Sequence, residues 1–224
     1  MRKKDYNMNK IFSIFILCIA IISCSGKDKD IVRSYWENGN LKSELRYKDG
    51  LLNGDCSWYF SNGKMDMKVH YNMNVMEGEV MRWYENGNIQ SRYYMKNDQY
   101  DSVFESYNVF GTLVRIEHYK EGVLHGEYKQ WYDNGKLFTD GIYKDGMLHG
   151  KWMMYYEGGA VGSVAMYENG AGVQKGYSPD GVLITEINYK DNVKDGDEIQ
   201  YNNDGSVNKI LVWNSGEFVK IINK

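Results

Sequence analysis

The sequence lacks several features that mark common protein classes. It contains one proline in 224 residues, and no stretch beyond the N-terminus spaces apolar residues at the 3.6-residue period of an amphipathic helix. Basic residues do not exceed acidic ones, 27 against 30, and form no basic patch, so DNA and RNA are not expected partners. No glycine-rich phosphate loop opens a helix, and no serine, histidine and aspartate set is recognisable. An enzyme is therefore not expected, and neither a catalytic residue nor a cofactor is predicted.

Long apolar runs are also absent, with one exception near the N-terminus. Four basic residues precede residues 11–22, an apolar run of 12 residues that is shorter than the roughly 20 needed for a membrane-spanning helix. The pattern predicts a secretory signal peptide over residues 1–23. Its end, Ser23-Cys24, resembles a bacterial lipobox, which implies that Cys24 is acylated and becomes the mature N-terminus.

Residues 24–30 are predicted to form the lipidated cysteine and a charged tether, and residues 31–224 to form a repeat domain. Ser25 follows the cysteine where an aspartate would retain the protein at the inner membrane, so we expect an exported protein anchored at the outer membrane, on its periplasmic or its surface side. The alternative is ordinary cleavage with a soluble product. Cys18 would leave with the signal, so Cys56 would be the one unmodified cysteine; no intramolecular disulfide is expected, and Cys56 is predicted to be a core residue.

Glycine recurs with a fixed period after this segment. The interval is 24 residues in all steps but one, which is 22, and such self-similarity is the mark of a repeat protein. We call these positions the reference glycines and number the repeats one to eight by them. They are predicted to be turn residues: Gly39, Gly63, Gly87, Gly111, Gly135, Gly159, Gly181 and Gly205.

Three further slots repeat with the glycine. The residue two positions after it is aliphatic in every copy, and the residue eight positions after it is aromatic in seven copies. The residue four positions before it is always aromatic and forms the aromatic ladder: Tyr35, Tyr59, Trp83, Tyr107, Trp131, Tyr155, Tyr177 and Tyr201. These three slots are predicted to form the core, with rings of corresponding residues packed side by side.

Turn residues mark both ends of every strand. Asn or Asp precedes the reference glycine in six copies, and Phe110 interrupts this pattern. Eleven residues after the glycine every copy has Gly, Asn or Asp, the residue types that tolerate positive φ. A third glycine slot follows four residues later, with Gly172 taking it in the copy that has lost two residues. Because apolar and polar residues alternate between these turns, the sequence predicts an all-β fold, an elongated antiparallel β-hairpin meander of about eight repeats.

Other candidates for chemistry fit the repeat better than a site. His125 and His149 occupy the same slot in neighbouring copies and would lie about 10 Å apart, too far to share a zinc ion. Acidic residues recur by repeat and predict a solvated row, because nothing in the sequence builds the cleft that a pair of catalytic carboxylates requires. No metal site is predicted.

The repeat resembles the MORN-repeat variant. The resemblance rests on segments such as Tyr132-Asp133-Asn134-Gly135-Lys136-Leu137 and the later Leu148-His149-Gly150, and it covers about residues 31 to 220. Repeats three, six and seven depart most from the pattern, and we expect the ribbon to bend or to specify a partner at about residues 97–110 and 168–196. Bacterial proteins of this variant are often classed as YwqK-like antitoxins, which implies a protein that binds and neutralises a toxin.

A cytoplasmic antitoxin would need no export signal, so three hypotheses stay open. The favoured one is a lipid-anchored protein that binds a partner protein along the repeats, as an envelope immunity factor where the partner is a toxin. The second is a structural protein that self-associates, for example as a homodimer, because a single sheet with an apolar face tends to pair with a copy of itself. The third is a module in which the aromatic ribbon binds glycan or a membrane surface.

Overall fold

The predicted all-β fold is confirmed. A computed structural model describes residues 30–224, so the predicted signal peptide and the predicted lipidation site Cys24 lie outside the described residues. The described residues form one open antiparallel sheet of 19 strands that follow one another along the chain, and two short strands of two residues pair only with the strand before them. No helix is present between residues 30 and 224, and hence none that is long and apolar enough to cross a membrane.

The strands follow the repeat closely. Repeats one and two have a return strand that is split after two residues, which gives the short strands β3 and β6 defined here. The bounds are β1 Asp30–Tyr35, β2 Leu41–Lys48, β3 Leu51–Leu52, β4 Gly54–Tyr59, β5 Met65–Asn72, β6 Val75–Met76, β7 Gly78–Trp83, β8 Ile89–Lys96, β9 Gln99–Tyr107, β10 Leu113–Lys120, β11 Val123–Trp131, β12 Leu137–Lys144, β13 Met147–Tyr155, β14 Val161–Glu168, β15 Ala171–Tyr177, β16 Leu183–Lys190, β17 Val193–Tyr201, β18 Val207–Asn214 and β19 Glu217–Asn223.

Two rows of turns close the hairpins. In the first turn row the reference glycine follows a tight turn; the Gly39 amide, for example, donates to the Trp36 carbonyl at 2.9 Å. In the second turn row two residues connect the strands, as Asp49 and Gly50 do with φ of 51° and 78°, the type I′ pattern whose twist matches that of the flanking strands. The residue ten positions after the reference glycine thus has positive φ as well, even where it is Met73.

Backbone bonds connect each second-row turn to the preceding repeat. The Gly146 amide donates to the Leu124 carbonyl and the Gly170 amide to the Leu148 carbonyl, both at 2.8 Å. Equivalent bonds recur along the sheet. Each repeat is therefore held mainly by its neighbours, as expected for a repeat protein without a central core.

A register shift just before each first-row turn separates the residues onto two faces. In repeat two Tyr59 pairs with Met65, whereas the preceding Trp58 pairs with Met67. Successive strand residues point to opposite faces, so these two pairs lie on opposite sides of the sheet. We call the side that carries Trp58 and Cys56 face A, and the side that carries Tyr59 face B.

The core lies on face A. Its most buried residues, Cys56, Val69 and Val80, lie seven residues before or six after a reference glycine. The predicted core slot eight residues after the glycine is part of it, as buried Met95 and Tyr167 show. The aromatic ladder is not: its residues lie on face B, none is buried, and Tyr35 is 59 % exposed. The reason is the alternation of side chains along a strand, because each ladder residue follows the buried slot by three positions, as Tyr59 follows Cys56.

The sixth repeat is shorter because it lacks a bulge. Gly54, Gly126 and Gly196 in the third glycine slot have positive φ, whereas Gly172 does not and pairs regularly with Tyr167. Gly172 therefore does not adopt the backbone conformation of the third glycine slot, to which the sequence pattern assigned it. The Asn192 side chain then bridges two turns by accepting from the Leu148 amide and donating to the Gly146 carbonyl, both at 2.8 Å.

Candidate functional site

The first turn row contains all eight reference glycines in the left-handed region. Their φ angles run from 79° at Gly135 to 97° at Gly87, and each amide donates to the carbonyl three residues earlier. A side chain at such a position strains the backbone. These glycines shape the first turn row and contribute no chemistry of their own.

Asparagine in front of the glycine links one turn to the next. The Asn38 side chain accepts from the Asn40 amide at 3.0 Å and donates to the Ser61 carbonyl of the following repeat at 2.7 Å. Asn86 makes the corresponding bonds with Asn88 and with the Val109 carbonyl. This position therefore closes its own turn and connects neighbouring repeats.

Phe110 departs from this arrangement in repeat four. Its side chain is 83 % exposed, and the adjacent Val109 is 44 % exposed. Asn108 takes over the role of the missing asparagine, since its side-chain oxygen accepts from the Phe110 amide at 3.1 Å and from the Thr112 amide at 3.0 Å. The turn is thus completed without the Phe110 side chain, which presents an aromatic ring to solvent.

Acidic residues flank the Phe110 turn in the same row. Glu85 lies in the turn before it, and Asp133 and Glu157 lie in the two turns after it, each two residues before a reference glycine. Asp133 is tied to repeat four, because its carboxylate accepts from the Asn108 amide group at 3.2 Å. The turns next to the exposed ring thus carry acidic residues, while the lysines of this row, Lys64 and Lys136, donate to carbonyls of other turns.

Face B combines the aromatic ladder with ion pairs. The Tyr107 hydroxyl donates to Glu105 at 2.9 Å, and Glu105 in turn pairs with Arg92 at 2.8 Å. The Tyr201 hydroxyl donates to Glu186 in the same way, and Lys175 pairs with that carboxylate at 2.8 Å. The hydrogen bond from Lys175 lowers the pKa of Glu186 below its ordinary value.

Face A contains a buried carboxylate that the sequence did not indicate. Glu198 is 7 % exposed and accepts from Lys194 at 2.6 Å, from Trp213 at 3.0 Å and from Gln200 at 3.2 Å. Burial alone would raise the pKa of Glu198, but these hydrogen bonds outweigh it and lower the pKa. The sequence signal is a lysine, Lys194, in a slot that is otherwise apolar or aromatic in the full-length repeats: Leu52, Met76, Tyr100, Leu124, Leu148 and Phe218.

The remaining chemical candidates are dispersed. His125 contacts Asp145 at 3.1 Å and His70 contacts Asp55 at 2.8 Å, on the exposed side of the sheet. Among residues 30–224 no group of three or more histidine, cysteine or acidic residues is placed to hold a metal ion. Cys56 is fully buried, and burial raises the pKa of its thiol, which makes it a packing residue and not a nucleophile.

Comparisons with known proteins identify the repeat type. No curated protein matches the chain. A solved structure titled "Crystal Structure of TcdB2-TccC3-Cdc42" is similar to 81 % of this chain at 11 % identity with a TM-score of 0.18, and the chain spans 13 % of that chain. The MORN repeat variant family matches residues 31–49, 52–73, 76–97, 124–145 and 172–191.

Phe110 falls outside those segments, between the third and the fourth, whereas Gly172 of the short repeat is the first residue of the fifth. In these five segments the chain is similar to the MORN repeat variant, and the same residues form antiparallel strands of the sheet.

Proposed function

We propose that this protein is a non-enzymatic, lipid-anchored scaffold that binds a partner protein along its repeats, with the Phe110 turn as the main contact. The supporting observation is the 83 % exposed ring in a turn that Asn108 closes without it. Large aromatic residues at the centre of an interface commonly provide much of the binding free energy. An aromatic side chain with no structural role in its own turn is suited to that task.

The charge around Phe110 describes the surface of the partner. Glu85 and Asp133 lie in the turns before and after the Phe110 turn, so the partner should offer an apolar pocket with lysine or arginine at its rim. The same acidic residues disfavour insertion of the ring into a membrane, because anionic lipid attracts basic clusters. A pocket on a partner protein thus suits the Phe110 ring better than a membrane does.

The lipid anchor is proposed on the N-terminal sequence. A basic start, the apolar run over residues 11–22 and the Ser23-Cys24 junction support acylation of Cys24. Labelling of cells with an alkyne-bearing palmitate tests it. The wild-type chain should incorporate label and fractionate with outer membranes, whereas Cys24→Ala should not; equal labelling of both proteins would contradict the anchor.

Toxin neutralisation is the specific form of this function that we propose. It is supported by the resemblance of the repeats to YwqK-like antitoxins, and the export signal then points to an immunity factor of the cell envelope. An open reading frame beside this one that encodes a secreted toxin provides the test. Coexpression of the mature chain should protect cells from that toxin, and protection that survives Phe110→Asn would contradict the proposed contact.

Binding is tested directly with the mature chain from Ser25 onward. Affinity capture identifies the partner, and calorimetry with the purified partner then compares the wild type with Phe110→Asn, which restores the residue used in other turns. Loss of a central aromatic contact of at least about 2 kcal/mol lowers affinity about 30-fold. Val182→Asn changes another exposed turn residue and should bind normally. Unchanged affinity of Phe110→Asn would refute the contact.

Self-association is the alternative that a specific observation favours. Strand β19 exposes Phe218, Val219 and Ile221, each at least half exposed. Such apolar strands tend to pair with other chains. Light scattering that shows a monomer at high concentration would exclude this alternative, and a dimer that Val219→Lys dissociates would support it.

A further inference from the structure

Face A has a depression between repeats five and seven. Its volume is about 190 Å³, and it is open to solvent on one side. Its lining combines aromatic rings with uncharged polar side chains; those used below are Thr139, Trp152, Ser163, Tyr167, Gln174 and Tyr189. No charged side chain lines it.

Small residues in the sequence create this depression. The position six residues after the reference glycine is Ala165 here, whereas repeats one and two have Leu45 and Val69. Ala165 pairs with Trp152 on one side and with Gln174 on the other, so the alanine lies between an indole and an amide. Because the alanine side chain is smaller than leucine or valine, it leaves space above it, and Ala165 forms the floor of the depression.

The polar groups are fixed by the sheet. Gln174 occupies the slot that holds Cys56 and Val80 in the core of the N-terminal repeats, and its amide nitrogen donates to the Ser163 hydroxyl at 3.0 Å. The Thr139 hydroxyl donates to the Met153 carbonyl at 2.8 Å. These contacts restrain the amide and hydroxyl groups that line the depression, and their remaining lone pairs and protons can bond to a ligand.

The aromatic walls are equally restrained. The Trp152 indole lies over Gly141 and packs edge to face on Tyr143, with ring centroids 5.0 Å apart. Tyr167 packs edge to face on Tyr189, with centroids 5.7 Å apart. Because neighbouring rings hold these walls, the depression needs little reorganisation to accept a ligand.

We propose that this depression, the face A pocket, binds one unit of a neutral saccharide. Sugar rings present C–H groups that pack on the electron-rich faces of aromatic rings, and hydroxyl groups that bond to amides and hydroxyls. An anionic ligand would lack a cation here, and a purely apolar ligand would cover the side-chain oxygen of Gln174 without offering it a donor. The volume is below that of pockets for drug-sized ligands, in keeping with a single sugar ring.

The pocket is independent of the proposed protein contact. Phe110 lies in a turn of repeat four, whereas the pocket lies on face A among residues 139–189. A scaffold that binds both would connect an envelope glycan to a protein partner. Failure of either site leaves the other unaffected, so the two proposals are tested separately.

Titration with defined neutral oligosaccharides tests the pocket. The mature chain is titrated with maltohexaose, cellohexaose and chitohexaose, with the anionic hexamer of galacturonic acid for comparison, and tryptophan fluorescence reports on Trp152. We expect at least one neutral hexamer to bind and the anionic hexamer not to bind. Absence of binding by all three neutral hexamers at 10 mM, or preference for the anionic one, would overturn the proposal.

Substitutions locate the bound sugar. Gln174→Val introduces the residue that fills this slot in repeat three, and Ser163→Ala removes one hydroxyl; each should weaken binding at least tenfold with an unchanged melting temperature. Ser91→Ala is the matched control, because Ser91 occupies the same slot as Ser163 but lies outside the pocket and should bind normally. Binding that both pocket variants leave intact would show that the sugar lies elsewhere and would overturn the proposal.

Discussion

Gly141→Ala should destabilise the protein although it adds one methyl group at a position with an ordinary φ angle. A Cβ atom at Gly141 would lie less than 3.0 Å from three ring carbons of Trp152. The indole is restrained, since it also contacts Tyr128 and Tyr143 at centroid distances of 5.6 and 5.0 Å. Its ring nitrogen donates to the Ile142 carbonyl at 3.0 Å. The methyl group must therefore displace a restrained ring.

The magnitude follows from the contacts that the displacement breaks. Overpacking of a fixed core site costs about 1–3 kcal/mol. The two aromatic contacts of Trp152 contribute about 0.5–1.5 kcal/mol each, and its hydrogen bond contributes about 1 kcal/mol. Partial relaxation preserves some of these contacts, so we expect Gly141→Ala to lower the free energy of unfolding by about 2–4 kcal/mol.

Urea unfolding followed by tryptophan fluorescence and circular dichroism measures this loss. Gly158→Ala is the matched control, because Gly158 also lacks positive φ and a Cβ there would meet nothing within 4 Å. In a Trp152→Val background, Gly141→Ala should cost little, since the obstacle has been removed. Equal costs of Gly141→Ala with and without Trp152 would refute the reasoning, as would a change below 0.5 kcal/mol, a size typical of surface substitutions.

Three other predictions concern backbone strain and ionisation. Gly146→Val should cost about 1–3 kcal/mol, because Gly146 has a φ of 78° and its Cβ would meet Val123 at 3.3 Å; an unchanged thermal melt would contradict this. Burial raises the pKa of Tyr93 from 10 to about 12, so the contribution of Tyr93 to stability is complete below pH 10 and is lost as the pH rises to about 12. Absorbance at 295 nm should show the ionisation of Tyr93 only with unfolding. Ionisation of Tyr93 near pH 10 in the folded protein would disprove this prediction. Lys194→Met should lower the free energy of unfolding by about 3 kcal/mol at pH 7, because it leaves the Glu198 carboxylate buried without its cation. The loss should be smaller near pH 4, where Glu198 of the variant is protonated. A loss that does not depend on pH in urea unfolding would count against the ion pair.

The fold could be predicted from the sequence because its strongest signals are local. Glycine with positive φ, Asn-Gly turns and alternation along each strand act within a few residues, and the repeat presents each of them eight times. Gly50 and Gly146, for example, have the φ angles that their turn slot requires. Cys56 is buried, as predicted from the apolar residues that occupy the same slot in other repeats.

The face of the aromatic ladder could have been predicted, because Tyr59 follows the predicted core residue Cys56 by three positions and alternation then points it to the other side. The register shift could not be predicted. Tyr59 pairs with Met65 and Trp58 with Met67, and sequence spacing does not reveal that pairing. The contact of Trp152 with Gly141 could in principle have been predicted from the sequence. The largest residue in its slot stands between the two smallest residues of the adjoining slot, Gly141 and Ala165, and such size complementarity is visible without a structure.

The modular sheet explains why both candidate sites lie where the repeat departs from its pattern. Stability comes from bonds between neighbours, such as that from Gly146 to Leu124, so a change inside one repeat is felt by two others at most. Phe110 in place of an asparagine lowers stability little, because Asn108 closes the turn. Gln174 is tolerated in a core slot because the Ser163 hydroxyl accepts a hydrogen bond from its side-chain amide. In a compact globule the same substitutions would disturb a shared core. A repeat sheet can thus acquire a binding residue in one hairpin while the remaining hairpins keep the fold.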